Sequence, residues 1–340
     1  MLSAITLHVL QKCSVIAEKP QSPSPHQSMQ KFGILIRSPT SGISPMTSQT
    51  TPPFLRSVLS QASTYFTDIN SKKLQTTAFE FNYLEAGEGE TIIVLHGLAG
   101  SKSWWRTNVV ELMKRYHVIA LDVPGININI QLQNERATFH HLTEWFMAFL
   151  KEKELSRFHL IGHSVSGALC AYIASKCPEY ITSLTMISLP QWYSSDRMPN
   201  PTVWHLKEIL EQADDAFDTY MDYIFYHQPP TPKLIKKVQS TMFNTQRARI
   251  DTILEDLENS CLQLPARLLH IQCPCHLIYG REDPFLSTDL IKDIKHYIPN
   301  ISISGINGCK HAPHIEKKPE TLALIQNFLP TDLNTTNKIA

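Results

Sequence analysis

Two rhythms of apolar and polar positions alternate along this chain. Residues 63–69 and 78–84 alternate with a period of two, as strands with one buried face do, and Gly87-Glu88-Gly89 marks a turn after the second. Thr91-Ile92-Ile93-Val94-Leu95 is a continuous apolar run, the pattern of a central strand covered on both faces. It ends at His96-Gly97-Leu98-Ala99-Gly100, and a helical stretch follows over about 102–115. Residues 117–123 make the next strand, leading into Pro124-Gly125. Residues 137–153 then take a helical period, with Leu142, Phe146, Phe149 and Leu150 on one side. A short apolar run from Phe158 stops at Gly162, His163 and Ser164, and a longer helical pattern carries on to about Cys177. A further strand is predicted over 183–189.

From Gln191 to about Leu269 the rhythm breaks into a helix-rich stretch with many aromatics, punctuated by Pro229-Pro230 and Pro232. Alternation then resumes with a strand over 275–279, a helix near 287–298, a strand near 301–306 and a last helix near 319–329. The prediction is an α/β fold: a mostly parallel, doubly wound sheet with a helical cap inserted after the sixth strand. Its parts would be core over 58–190, cap over 191–269, core again over 270–330 and a flexible tail over 331–340.

Residues 1–57 differ from the rest. They hold seven of the 22 prolines, many Ser and Thr and a single acid, Glu18. Such a segment buries too little apolar surface to offset its ordering entropy and is predicted to be a disordered extension. It could be an extension without function (Met29 or Met46 being alternative starts), an organelle transit peptide or a regulatory tail.

Composition narrows the function. Of 340 residues 42% are hydrophobic, and 31 basic residues balance 31 acidic ones, which argues against a nucleic-acid partner. No apolar run approaches the roughly 20 residues that span a bilayer. Seven scattered cysteines in a long chain point to a reducing, cytoplasmic setting, or to an organelle if the first 57 residues are a transit peptide. Cys273-Pro274-Cys275 has no second pair at zinc-site spacing, and neighbours such as His140-His141 point to different sides of a helix, so no metal is expected.

A serine at a tight strand-to-helix turn has an exposed hydroxyl and, at the helix start, backbone amides that favour negative charge. A serine hydroxyl needs an adjacent base that is itself oriented by an acid. Reactive groups of an open α/β sheet collect at the carboxyl ends of its strands, and three candidates fall there in the order Ser164, Asp283, His311. Ser166, Glu282 and His314 are their nearest rivals. Ser164 could also serve simply as a helix N-cap.

With His96-Gly97, Gly162-His163-Ser164-Val165-Ser166, Gly280-Arg281-Glu282-Asp283 and the stretch from His311 to Glu316 in this order, the chain resembles the α/β-hydrolase fold superfamily from about Ser63 to Leu329. The resemblance implies that Ser164 is the nucleophile, His311 its general base and Asp283 the group that orients His311. It places the oxyanion hole at the backbone N–H groups of Leu98 and Val165, with His96, Gly97 and His163 supporting the site. It implies no cofactor.

Three positions depart from the family pattern. Ser166 stands where glycine is usual, Asn127 and Asn129 replace Gly and Ser after Asp122-Val123-Pro124-Gly125, and Lys310 precedes the histidine. Asn127 is expected to take the left-handed backbone of the missing glycine, and Lys310 to shift His311 or lower its basicity.

Serine at the elbow leaves carboxylic esters, thioesters and lactones of a small to medium hydrophobic acyl group as substrates. Acyl transfer and carbon–carbon bond hydrolysis are alternatives. The run Gly-His-Ser-Val-Ser is also similar to that of plant strigolactone and karrikin receptors, so a ligand sensor with slow turnover stays open, as does an inactive scaffold. The oligomeric state is not legible.

Overall fold

The computed structural model describes residues 69–130, 136–191, 201–212, 215–262 and 264–329. The expected extension over 1–57 and tail over 331–340 lie outside them. In chain order the elements are β1 (Asn70–Gln75), β2 (Glu80–Ala86), β3 (Thr91–Leu95), α1 (Arg106–Leu112, entered by a 3-10 turn at Lys102–Trp105), β4 (His117–Leu121), α2 (Phe139–Glu152), β5 (Phe158–His163), α3 (Val165–Lys176) and β6 (Ile181–Ile187). Between β6 and β7 run α4 (Pro201–Gln212), α5 (Ala216–Ile224), α6 (Lys233–Asn244), α7 (Arg247–Cys261) and α8 (Leu264–Leu268). The chain closes with β7 (Cys275–Gly280), α9 (Thr288–Tyr297), β8 (Ser302–Ile306), α10 (Pro313–Glu316) and α11 (Lys318–Phe328).

The eight strands form one sheet in the order β1-β2-β4-β3-β5-β6-β7-β8. β2 pairs antiparallel with β1 and with β4, and every other pairing is parallel. The chain moves one way from β3 to β4 and then crosses back to β5. This reversal opens a crevice at the carboxyl ends of β3 and β5, where an open parallel sheet places its ligands.

Both faces of the sheet are covered, as the unbroken apolar run of β3 requires. Ile93 and Leu95 pack with α2, α3 and the apolar faces of the inserted helices. Ile92 and Val94 pack on the opposite side with Trp105, Val109 and Leu112 around α1 and with Leu322 and Ile325 of α11. All four β3 side chains are fully buried, each contributing about 1.5–3 kcal/mol relative to exposure. The insertion has its own local signals: Asp215 caps α5 by accepting from the amides of Phe217 and Asp218.

The first strand among the described residues, β1, follows directly on the stretch where a strand is predicted over 63–69. Residues 63–68 lie outside the described residues, Ile69 precedes the strand, and β1 begins at Asn70. Asn-Ser-Lys-Lys-Leu-Gln is almost wholly exposed at the sheet edge, so no buried face imposes an apolar alternation on it. The strands predicted at 78–84 and 183–189 are shifted by about two residues, to β2 and β6.

Candidate active site

β5 ends at His163 and α3 begins at Val165, so Ser164 alone makes the turn, at φ 56° and ψ −129°. A non-glycine residue at positive φ with this ψ lies outside the left-handed helical well and costs about 1–3 kcal/mol. Its surroundings hold it there: the Ser164 amide donates to the Ile187 carbonyl at 2.8 Å, and the Gly167 amide donates to the Ser164 carbonyl at 2.7 Å. A Cβ on Gly162 would lie 2.2 Å from the Ser166 carbonyl oxygen and 2.6 Å from Cys170 Sγ. Only glycine fits there.

The loops after β7 and β8 bring two further side chains to this serine. His311 Nε2 lies 2.7 Å from Ser164 Oγ, and His311 Nδ1 lies 2.8 Å from Asp283 Oδ2. A neutral His311 protonated at Nδ1 donates to the carboxylate and accepts from the serine hydroxyl. Asp283 is steadied through its other oxygen, which accepts the Phe285 amide at 2.9 Å. All three residues are buried, with 9%, 6% and 2% of the surface of Ser164, Asp283 and His311 left exposed. The ring of Phe285 meets the imidazole of His311 edge-on at 4.8 Å and helps exclude water.

The rivals lie elsewhere. Glu282 turns to the backbone of Cys309, accepting its amide at 3.0 Å. His314 stacks on Trp105 at 4.6 Å and lies 4.4 Å from the ring of His163. Burial, with the neighbouring His311, drives its pKa down to about 3, so it stays neutral. His163 donates from Nε2 to the His311 carbonyl at 2.7 Å. Burial, then His314 and His311, hold it well below the ordinary histidine range.

The loop after β3 presents its backbone to the serine. A Cβ on Gly97 would sit 2.7 Å from His163 Nδ1 and 3.0 Å from Ser164 Cβ, so glycine is what permits the approach. The peptide carrying the Leu98 amide is held through its carbonyl, that of Gly97, which accepts His96 Nδ1 at 2.9 Å and the Gly100 amide at 3.0 Å. His96 Nε2 in turn accepts the Val123 amide at 2.9 Å. The next peptide is held at both ends, by the Tyr220 hydroxyl on the Leu98 carbonyl at 2.9 Å and by the Ile126 carbonyl on the Ala99 amide at 2.9 Å. The amides of Leu98 and Val165 have no acceptor among the described residues.

The three departures acquire local explanations. Ser166 is more than a small residue: its hydroxyl donates to the His96 carbonyl at 2.5 Å, tying the elbow helix to the β3 loop. Asn127 does not take the expected left-handed backbone, since it is absent from the positive-φ residues. It works instead through its side chain, which donates to Asp122 Oδ1 at 3.3 Å and accepts the Asn129 amide at 3.1 Å, the short-range bonding that makes Asn a turn residue. Lys310 does not displace His311; its ammonium reaches away to the Asp222 carbonyl at 2.6 Å.

A model of the α/β hydrolase fold matches residues 90–318. The chain belongs to the α/β hydrolase fold family. This hydrolase is 24% identical over 268 residues to monoacylglycerol lipase ABHD6 of Mus musculus, a match covering 74% of this chain and 79% of the relative. It is 20% identical over 250 residues to (E)-2-((N-methylformamido)methylene)succinate hydrolase of Acinetobacter baylyi, covering 74% and 94%. Its fold is also similar to the crystal structure of a membrane phospholipase A described as a bacterial virulence factor, with a TM-score of 0.70, 24% identity and coverage of 81% of this chain and 92% of that one.

In this hydrolase Leu98 of the β3 loop meets Leu206, Ile209, Leu210, Tyr220, Phe243 and Ile250 of the insertion around a small apolar cavity. Among the described residues no cluster of three or more His, Cys, Asp or Glu could hold a metal ion, and no helix is long and apolar enough to cross a membrane. No local motif signals the parts played by the Ser166 hydroxyl, Phe285 or Tyr220. Each acts through a contact whose partner is distant in the chain or set by the elbow's shape.

Proposed function

We propose that the protein is a serine hydrolase that cleaves a carboxylic ester, thioester or lactone of a small to medium hydrophobic acyl group through an acyl-enzyme. The observation that carries this reading is the unbroken line of short hydrogen bonds from Ser164 Oγ through His311 to Asp283. As Ser164 attacks the acyl carbon, His311 Nε2 takes its proton, and the buried Asp283 carboxylate stabilises the imidazolium and fixes its tautomer. The negative charge that develops on the carbonyl oxygen falls to the amides of Leu98 and Val165, the latter at a helix start. His311 then protonates the leaving group, and water repeats the sequence on the acyl-enzyme.

The surroundings of the β3 loop support a hydrophobic substrate: the insertion side chains packed around Leu98 carry no charge, which disfavours a charged acyl group there. In this reading α4 to α8 form the cap over the serine, with core segments over 58–190 and 270–330.

The test is labelling with a fluorophosphonate probe, followed by turnover of p-nitrophenyl esters of increasing chain length. Wild type is expected to label at Ser164 and to turn over steadily, with an optimum at short to medium acyl chains. Ser164→Ala should abolish both while melting like wild type. A Ser164→Ala protein that still turns over the esters overturns the assignment. A single slow turnover with ligand-dependent melting would instead favour the sensor alternative.

A further inference from the structure

Helix α5 of the insertion touches both loops on which the proposed chemistry depends. Tyr220 and Ile224 stand one turn apart on it. The Tyr220 hydroxyl donates to the Leu98 carbonyl at 2.9 Å, and the Ile224 carbonyl accepts the backbone amide of His311 at 3.0 Å. The same end of the helix is clamped twice more. The Lys310 ammonium donates to the Asp222 carbonyl at 2.6 Å, a cation where the helix carries its partial negative charge. The Glu316 carboxylate accepts the amides of Tyr226 and His227 at 2.6 and 3.2 Å, and that of Lys310 at 3.0 Å.

Tyr220 is buried, and its ring stacks on Phe243 at 5.2 Å. A hydroxyl shut away from water needs a protein acceptor, and here that acceptor is the peptide following Leu98. With its carbonyl on Tyr220 and its amide on Ile126, this peptide sets the backbone angle at Leu98 and with it the direction of the Leu98 N–H. Nothing in the loop's own sequence could do this from the insertion side.

We propose that Tyr220 is a positioning residue for the oxyanion loop, so that the hole is in register only while α5 is seated on the histidine loop. The proposal rests on Ser164 being the nucleophile. Tyr220 touches no reacting atom; it acts through Leu98. Moving a cap helix therefore loosens a donor of the hole as well as uncovering the serine.

The experiment is Tyr220→Phe in the full chain, which keeps the ring on Phe243 and deletes only the hydroxyl. Losing an oxyanion donor outright costs about 10²–10³ in rate; loosening one held by three other bonds should cost about tenfold. Three readouts are taken: kcat and KM on a p-nitrophenyl ester, affinity for phenylboronic acid as a tetrahedral anionic adduct of the serine, and the pH profile of kcat/KM. The expected result is a parallel tenfold fall in kcat and boronate affinity, KM within about twofold, and an unmoved acid limb, since His311 keeps Asp283 and Ile224.

Wild-type kcat and boronate affinity in Tyr220→Phe, or a loss confined to KM, overturns the proposal. If that variant fails to fold, Lys310→Met unclamps the same helix from the rim and should lower kcat and boronate affinity in the same ratio; unchanged values overturn it too. Wild-type protein unlabelled at Ser164 by a fluorophosphonate removes the underlying assignment and this proposal together. Wild type that labels, beside a variant that labels equally fast, removes the proposal alone.

Discussion

Replacing Ser166 by alanine deletes one fully buried hydroxyl and leaves the backbone and Cβ of the elbow untouched. The hydroxyl donates to the His96 carbonyl at 2.5 Å, and His96 is itself only 1% exposed, so water cannot take over the bond. A buried acceptor that loses its donor costs about 1–3 kcal/mol. At about 2–4 °C per kcal/mol for a domain of this size class, Tm should fall by roughly 2–12 °C. Activity should follow, because the freed carbonyl is one residue before Gly97, whose peptide carries the Leu98 amide. A loosened donor should lower kcat about tenfold, well short of the 10²–10³ for a donor removed. Ser166→Gly loses the same bond and adds roughly 1 kcal/mol for glycine in a helix, so it should melt lower still. The assays are calorimetry and ester turnover on the same preparations. A Ser166→Ala protein with wild-type Tm and kcat would show that the bond carries neither stability nor geometry.

Two further outcomes follow from the same geometry. Gly162→Ala drives a methyl to 2.2 Å from the Ser166 carbonyl oxygen, a backbone atom that cannot rotate away; the cost should exceed the usual ~1–3 kcal/mol of overpacking, and fluorophosphonate labelling should be lost, whereas wild-type labelling would refute the fit. Burial also lowers the pKa of His96, His163, His276 and His314, to about 4 for His276 and about 3 for His314. These side chains are neutral when folded and bind protons on unfolding below the ordinary value near 6.5. Stability should be full above pH ~6.5 and decline as the pH falls toward those folded values, by about 1.4 kcal/mol per pH unit for each histidine. Urea midpoints at pH 7.5, 6 and 5 check this, and a flat series would contradict it.

Much of the architecture was legible because burial had written it into the chain. β3 is sealed on both faces and its sequence is uniformly apolar, while α2 shows one apolar stripe because it has one buried side. β1 went unpredicted for the opposite reason: an exposed edge strand of Asn, Ser, Lys and Gln has no inner face to advertise. The residues that meet at Ser164 could be named from local motifs, since each follows a strand end. What could not be read was how the loops are held. The Asn127 side chain supplies by hydrogen bonding what a glycine's backbone was expected to supply, Lys310 turns outward to a helix end, and Tyr220 reaches a loop 122 positions away. Such bonds depend on the assembled fold and leave no periodicity behind.

The unfavourable backbone angles of Ser164 have a consequence for any population of these molecules. The residue would relax out of that kink the moment Ile187, Gly167 and the close packing at Gly162 stopped enforcing it, and the hydroxyl would then swing off the imidazole. Incompletely folded chains should therefore be chemically silent toward an acylating reagent, whatever secondary structure they retain. On the proposed assignment of Ser164 as nucleophile, reactivity at this one side chain becomes a count of finished molecules.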